Sequence, residues 1–195
     1  MSDGSPKGFE KLGPHEVVIT KAQPDDTEPI ANILYVTWRD TYPNSTYGIP
    51  QEDVNQFTEG WLEPDRIQRG RKLFEPNPGV EALVAKTSGA AVGLFYAGPA
   101  EDDYGRDDPN EIRWLYVLPE YQGRGIGRQL LEQGLAGLGD DKDVILEVAR
   151  YNKPAIELYK KPGFFIDREL ERDIMKLPSG KIIPEFLMVR KAKQP

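Results

Sequence analysis

Residues 112–127 change their hydrophobic period abruptly. Ile112-Arg113-Trp114-Leu115-Tyr116-Val117-Leu118 is an apolar run rich in β-forming residues, and Pro119 ends it. Gln122-Gly123-Arg124-Gly125-Ile126-Gly127 follows. Ile126, Leu130, Leu131, Leu135 and Leu138 then make one helix face, which Gly139 terminates. A strand, a glycine-rich turn and an amphipathic helix in direct succession are the reading this pattern allows. Such a turn aims several backbone N–H groups at one point, at the positive end of a helix dipole. That makes an anion site, and a pyrophosphate is its usual occupant. Gly125 and Gly127 have a second reading, close packing of helix on strand, but the elements on either side favour the anion site.

The turn is not a Walker loop, because no Gly-Lys-Ser/Thr follows. A dinucleotide fold is disfavoured too. The turn arrives only after roughly 120 residues, and Glu147, about 20 residues on, lies inside a strand rather than at its end.

The remaining elements follow from the same rules. Val17-Val18-Ile19 reads as a first strand. Asp25 or Asp26 is expected to cap a helix, with Glu28 as capping-box partner and Ile30, Ile33, Leu34 and Trp38 facing the core. Pro43, Asn44, Gly48 and Pro50 make 43–50 a loop. Two short helices are expected at Asp53–Trp61 and Pro64–Phe74, with Trp61 and Phe74 docked on the core. Val80–Ala85 and Ala91–Ala97 form a hairpin through Ser88-Gly89. Residues 98–110 carry Glu101, Asp102, Asp103, Asp107 and Asp108 and read as an exposed loop. Strands are expected at Glu111–Leu118 and 143–149. Pro154 opens a helix to about Lys161, and Phe164–Leu170 and Ile182–Arg190 are strands around Pro178-Ser179-Gly180. The fold class is therefore α/β (α+β), a mixed sheet of about seven strands flanked by helices. One domain is expected over 15–195, after a flexible tail at 1–14. The strand before the turn, its helix and the 143–149 strand form a parallel crossover. The ligand crevice should lie at the carboxyl ends of those strands.

Composition prunes the chemistry. There is no cysteine, so thiol nucleophiles, disulfides and Cys-ligated metals are excluded. The only histidine is His15, which rules out a His-rich zinc site, and no metal is expected. Proton transfer falls to Glu, Asp, Tyr, Lys or water. The formal charge is −7, so nucleic acid is not an expected partner, and a cationic small molecule is drawn more readily. Acidity that only maintains solubility is an equally good reading. The first residues lack the apolar core of a signal peptide. No run approaches the roughly 18 apolar residues of a membrane helix, so the expectation is a cytoplasmic protein with no membrane partner.

At the turn the chain resembles the GCN5-related N-acetyltransferase (GNAT) superfamily. The family's Gln/Arg-x-x-Gly-x-Gly/Ala is met by Gln122, Gly125 and Gly127 after Val117-Leu118-Pro119. Its Asn-x-x-Ala-x-x-Leu-Tyr-x-x-x-Gly-Phe is met by Asn152 through Phe164, with Pro162 where an aliphatic residue is usual. The close match covers about 111–165, and the element order extends it more weakly over about 15–190. The resemblance implies a GNAT-like, mostly antiparallel sheet and acetyl-CoA as the donor. Backbone N–H groups of Gly123, Arg124, Gly125, Ile126, Gly127 and Arg128 would hold the pyrophosphate, with Gln122 as the motif's first residue. The arginine side chains would add charge there, or would be ordinary solvated helix-start residues. The backbone of Leu115, Tyr116 and Val117 would pair with the pantetheine arm as an added strand. The Val117 N–H would be the oxyanion donor. Asn152 would fix the cofactor arm or cap its helix.

Amine attack on a thioester needs a base, oxyanion donors and an acid for the leaving thiolate. Tyr159 matches the family's tyrosine and is the expected acid; a packed core tyrosine is the plainer alternative. Glu111 aligns with a catalytic glutamate of some histone-type members. By simple alternation it shares a strand face with Arg113, Leu115 and Val117, so it is the candidate base, against a substrate-orienting or merely exposed residue. Trp38, Tyr42, Tyr47 and Trp61 are placed to wall an acceptor pocket and hold a cation, or to pack in the core. The expected partners are acetyl-CoA and an amine acceptor, a small cationic amine such as a polyamine. A protein α-amine or lysine is the rival acceptor, and a homodimer is a common family assembly. A non-catalytic acyl-CoA sensor is the second class of function.

Overall fold

The computed structural model describes residues 17–102, 104–170 and 176–193. The tail expected at 1–14, His15 and Asp103 lie outside the described residues. Seven strands form one sheet in the order β1-β2-β3-β4-β5-β7-β6. They are β1 Val17–Lys21, β2 Glu81–Thr87, β3 Ala90–Pro99, β4 Asn110–Val117, β5 Val144–Ala149, β6 Phe165–Leu170 and β7 Glu185–Arg190. Every adjacent pair is antiparallel except β4 with β5, the crossover expected from the turn and its helix. The helices are α1 Thr27–Thr41, α2 Gln51–Phe57, α3 Pro64–Gly70, α4 Ile126–Leu138 and α5 Lys153–Lys160.

The sheet buries both faces. On one face Ile126, Leu130, Leu131 and Leu135 of α4 pack on Phe95, Ile112, Val117, Leu146 and Val148, and α5 adds Ile156 and Tyr159. On the other, Ile30 and Ile33 of α1 pack on Val84, Leu94 and Tyr96. Trp38, Tyr42, Ile49 and Val54 continue that layer onto Ala149, Leu177 and Ile183. Gly134 lets α4 sit close on β3: a Cβ there would fall within 2.6 Å of three Phe95 ring atoms.

Several boundaries differ from expectation. The second helix runs Gln51–Phe57 rather than Asp53–Trp61; Pro50 sets its start, and Trp61 still docks beside Trp38. Pro64–Phe74 divides into α3 and a 3₁₀ turn at Arg71–Phe74. A 3₁₀ turn at Pro24–Asp26 precedes α1, and the Asp26 carboxylate accepts from the Gln23 N–H at 2.9 Å. Glu28 is therefore not the capping partner. The last strand starts at Glu185, and Ile182 instead bridges Lys176.

The acidic 98–110 segment is not simply exposed. Tyr104 is 3% exposed, packed on Ile145, Leu187 and Val189. Arg106 anchors the segment to Asp143 at 3.0 Å and Asp167 at 2.6 Å. Asp108 pairs with Lys142 at 2.5 Å.

Candidate functional site

The strand pair β4–β5 separates soon after it begins. Only Asn110–Val144, Glu111–Ile145 and Ile112–Leu146 are paired. Beyond them β4 stays bonded to β3 and β5 to β7, so a gap opens between the centres of a continuous sheet. A bulge at Arg113 marks the parting: Tyr96 faces Trp114 and Ala97 faces Ile112. Bulges bend a strand and re-aim its side chains.

The gap exposes one backbone edge of β4. Leu118 N–H donates to Val92 O at 2.9 Å. Antiparallel alternation then turns Tyr116 towards β3, and turns the N–H and C=O groups of Leu115 and Val117 into the gap. The Gln122 side-chain amide donates to Val117 O at 2.9 Å, which ties the turn to the end of the strand.

The turn has the geometry the glycines promised. Gly123 and Gly125 have φ of +72° and +83°, a region that favours glycine, and an added Cβ at either would touch nothing within 4 Å. Space therefore lies open over both. The first helical bond of α4 is Gln129 N–H to Gly125 O at 3.0 Å. The N–H groups of Ile126, Gly127 and Arg128 precede it and have no acceptor within the helix. They point out of the helix start beside the gap, where an anion is stabilised by the dipole. The two arginines are engaged elsewhere. Arg124 donates to Glu120 O at 2.8 Å and lies 5.3 Å from the Tyr121 ring. Arg128 pairs with Glu132 at 2.7 Å on the exposed helix surface.

Tyr159 of α5 packs in the α4-side core with Val117, Leu146 and Val148. It is 7% exposed, packed near Phe164 at 6.0 Å between ring centres. Burial, and then the field of Tyr116, hold its hydroxyl above the ordinary phenol range. Tyr116 and Tyr42 meet from the α1 side, hydroxyl to hydroxyl at 3.0 Å. Burial pushes Tyr116 up to about 12 and raises Tyr42 as well. All three phenols therefore keep their protons at neutral pH. Asn152 is a helix cap: its Oδ1 accepts from Ala155 N–H at 3.3 Å.

Glu111 requires a correction. Because Arg113 is bulged out, Leu115 and Val117 face α4 with Ile112, whereas Glu111 lies on the opposite face with Trp114 and Tyr116. Uninterrupted alternation would have put Glu111, Arg113, Leu115 and Val117 on one face. Glu111 accepts from the Tyr104 hydroxyl at 2.9 Å and pairs with Arg113 at 3.4 Å. Its carboxyl is raised above the usual range: burial outweighs the opposing pull of Tyr104 and Arg113. Tyr104 also donates towards Glu147 at 3.1 Å.

Of the aromatic residues singled out by sequence, Trp38 and Tyr42 are buried in the core with Trp61 packed against them, while Tyr47 is exposed. Trp38 lies tilted against Tyr42 at 4.2 Å and meets Trp61 edge-on at 5.2 Å, while Tyr47 lies 5.2 Å from Tyr151. The Tyr151 hydroxyl donates to Tyr42 O at 2.8 Å. Sequence reasoning missed Tyr151, Tyr104 and Glu185. It also missed the clasp in which buried Asp53 of α2 accepts from Ser179 N–H at 2.9 Å and from its hydroxyl. Glu185 was discoverable: Glu185, Leu187 and Val189 alternate on one face of the last strand, and a charged residue in such a row is out of place in a core. Among the described residues no cluster of three His, Cys, Asp or Glu could hold a metal ion. No described helix is long and apolar enough to cross a membrane.

Comparison with known proteins agrees with this geometry. The Acetyltransferase (GNAT) family profile matches residues 36–164. Mycothiol acetyltransferase of Thermobifida fusca is 34% identical over 119 residues, 58% of this chain and 36% of that protein. Spermine/spermidine N(1)-acetyltransferase of Bacillus subtilis is 33% identical over 94 residues, 41% of this chain and 62% of that protein. The matched part is thus less than two thirds of either relative. The structure of PaiA N-acetyltransferase from Thermoplasma acidophilum in complex with coenzyme A superposes with a TM-score of 0.65 at 19% identity. It covers 90% of this chain and 99% of that one, a likeness of fold. On the family profile, the sheet order and the turn together, the chain belongs to the acetyltransferase (GNAT) family.

Proposed function

We propose that the protein is an acetyl-CoA-dependent N-acetyltransferase. It moves the acetyl group to a primary amine by direct attack in a ternary complex, and its acceptor is a small cationic amine of the polyamine class. The observation that carries the reading is the β4–β5 gap, an unpaired backbone edge that leads to an anion-accepting helix start. Leu115 and Val117 offer that edge to the amides of a pantetheine arm, as an added strand would be bound. The N–H groups of Gly123 through Arg128 take the pyrophosphate, and the open space over Gly123 and Gly125 admits it. When bound, acetyl-CoA supplies the acetyl group as an activated thioester.

The chain's own groups do the rest. Val117 N–H donates to the carbonyl oxygen as negative charge grows there. Tyr159 holds its proton in the resting state and gives it to the departing sulfur. Glu111 lies in the closed stretch, engaged by Tyr104 and Arg113, so the ammonium proton leaves through water rather than to its carboxyl. The aromatic rings of Trp38, Tyr42, Tyr47 and Trp61 favour a cation, and the similarity to a spermine/spermidine acetyltransferase supports the same class.

A mass-spectrometric transfer assay with polyamines, amino acids, aminoglycosides and short peptides tests the proposal. One acetylated polyamine is the expected product; acetylation of peptides alone would refute the acceptor class. Tyr159→Phe should cut kcat by about 100-fold or more while acetyl-CoA binding is kept. An unchanged rate would remove Tyr159 from the chemistry. Acetyl-CoA binding with no product from any amine would refute the enzyme and favour a sensor.

A further inference from the structure

Glu185 stands beside the opened stretch of the gap, further along it than Glu147. Glu185, the first residue of β7, is level with Ala149, the last of β5, and so shares its face of the sheet. Ala149 lies three positions beyond the last β4–β5 pair, Ile112–Leu146, and packs with Trp38, Tyr42, Tyr116 and Tyr151. Glu185 and Tyr42 are both buried, 6% and 8% exposed. The other carboxylates on this face belong to a different place. Glu111 sits in the closed stretch and Glu147 just past it, and the two share the Tyr104 hydroxyl. The neighbouring Arg150 turns its guanidinium towards Glu169, 6.0 Å from the Tyr47 ring.

We infer that Glu185 anchors the acceptor's ammonium group, with Tyr42, Tyr116 and Tyr151 as its aromatic and hydroxyl walls. The ligand class is a primary alkylammonium. A carboxylate supplies the charge-assisted bond, ring faces attract the cation, and the phenol oxygens accept its remaining N–H bonds. The field of Glu185 already reaches these phenols, raising Tyr42, Tyr116 and Tyr151 alike, although burial is the larger cause in each. An ammonium held there lies at the α1-side mouth of the gap, with Tyr159 in the core on the opposite side. This assignment deepens the acetyl-transfer reading and rests on it.

The test is a calorimetric titration of spermidine into the protein loaded with CoA. Wild type should bind, and Glu185→Gln should bind about tenfold to a hundredfold more weakly at unchanged CoA affinity. Equal affinity in the two proteins, or no binding by wild type, would overturn the assignment. If Glu185→Gln fails to bind CoA, Glu185→Asp decides. It keeps the charge one methylene further back and should lose affinity by a smaller factor, and a wild-type affinity would count against the anchor. Acetyl-CoA turnover with spermidine is followed separately. Glu185-dependent binding without turnover would reject the transfer reading and leave the ammonium subsite standing.

Discussion

Gly134→Ala should destabilise the protein, although alanine is the better helix former. In an exposed helix the change would gain about 1 kcal/mol. Here the new Cβ meets the Phe95 ring, with three ring atoms within 2.6 Å. Carbon atoms pack best at roughly 3.5–4.0 Å, so ring and helix must part by about 1 Å. Phe95 is 1% exposed and held between the sheet and α4, with no solvent to yield into. Forcing extra volume into such a core costs about 1–3 kcal/mol, and an overlap this deep belongs at the upper end. Set against the propensity gain, the net loss is about 2 kcal/mol, or roughly 4–8 °C in Tm for a chain of this size. Thermal unfolding followed by circular dichroism measures it. Phe95→Leu combined with Gly134→Ala should cost less than the sum of the single changes, because the leucine vacates the space. A Tm equal to or above that of wild type in the single variant would refute the reasoning. It would mean that the closeness of α4 to β3 is not held by Phe95.

Two further outcomes follow from the site. Gly125→Ala puts a side chain into the +83° conformation and into the open space over the turn. About 1–2 kcal/mol of backbone strain is expected, with acetyl-CoA affinity down at least about tenfold and spermidine affinity of the CoA-saturated protein kept, both read by calorimetry. Glu111→Gln should alter the pH dependence of stability in a defined direction. A carboxyl raised in the folded state binds its proton more tightly there than in the unfolded chain, so wild type loses stability as pH rises from the usual carboxylate range through the raised value. The variant lacks that loss, so its denaturant midpoint relative to wild type should improve across that interval; a constant difference would contradict the raised carboxyl.

What the sequence disclosed was local. The β4–turn–α4 unit is contiguous in the chain, and its period change, Pro119 and the glycines each constrain the same short stretch. The aromatic cluster was also partly legible, through Trp38, Tyr42 and Trp61. The gap was not, because a strand that alternates at 114–117 does so whether or not a neighbour is bonded to it. Nor was the bulge at Arg113, since one extra residue is visible only against its partner strand. That invisible residue is why the faces of Glu111 and Val117 were misjudged. The 98–110 loop misled in another way. Its acids suggested solvent, but one aromatic, Tyr104, and one arginine, Arg106, were enough to fasten it to the sheet. Asp53 and Ser179 are 126 positions apart, and no periodicity connects them.

The last strand among the described residues lies inside the sheet, not at its edge: β7 is inserted between β5 and β6. A chain emerging from the ribosome at about 5–20 residues per second can complete the anion turn well before β7 appears. During that interval β5 and β6 have no common partner, and each offers an unsealed edge to other chains. Leu177 and Ile183 have not yet joined the cluster of Trp38, Tyr42 and Ala149, and Glu185 has not yet come level with Ala149. Nascent protein should therefore complete its glycine turn first and the proposed acceptor wall last. A translation product cut short after β6 would be expected to aggregate through the two open edges rather than persist as a half-active enzyme.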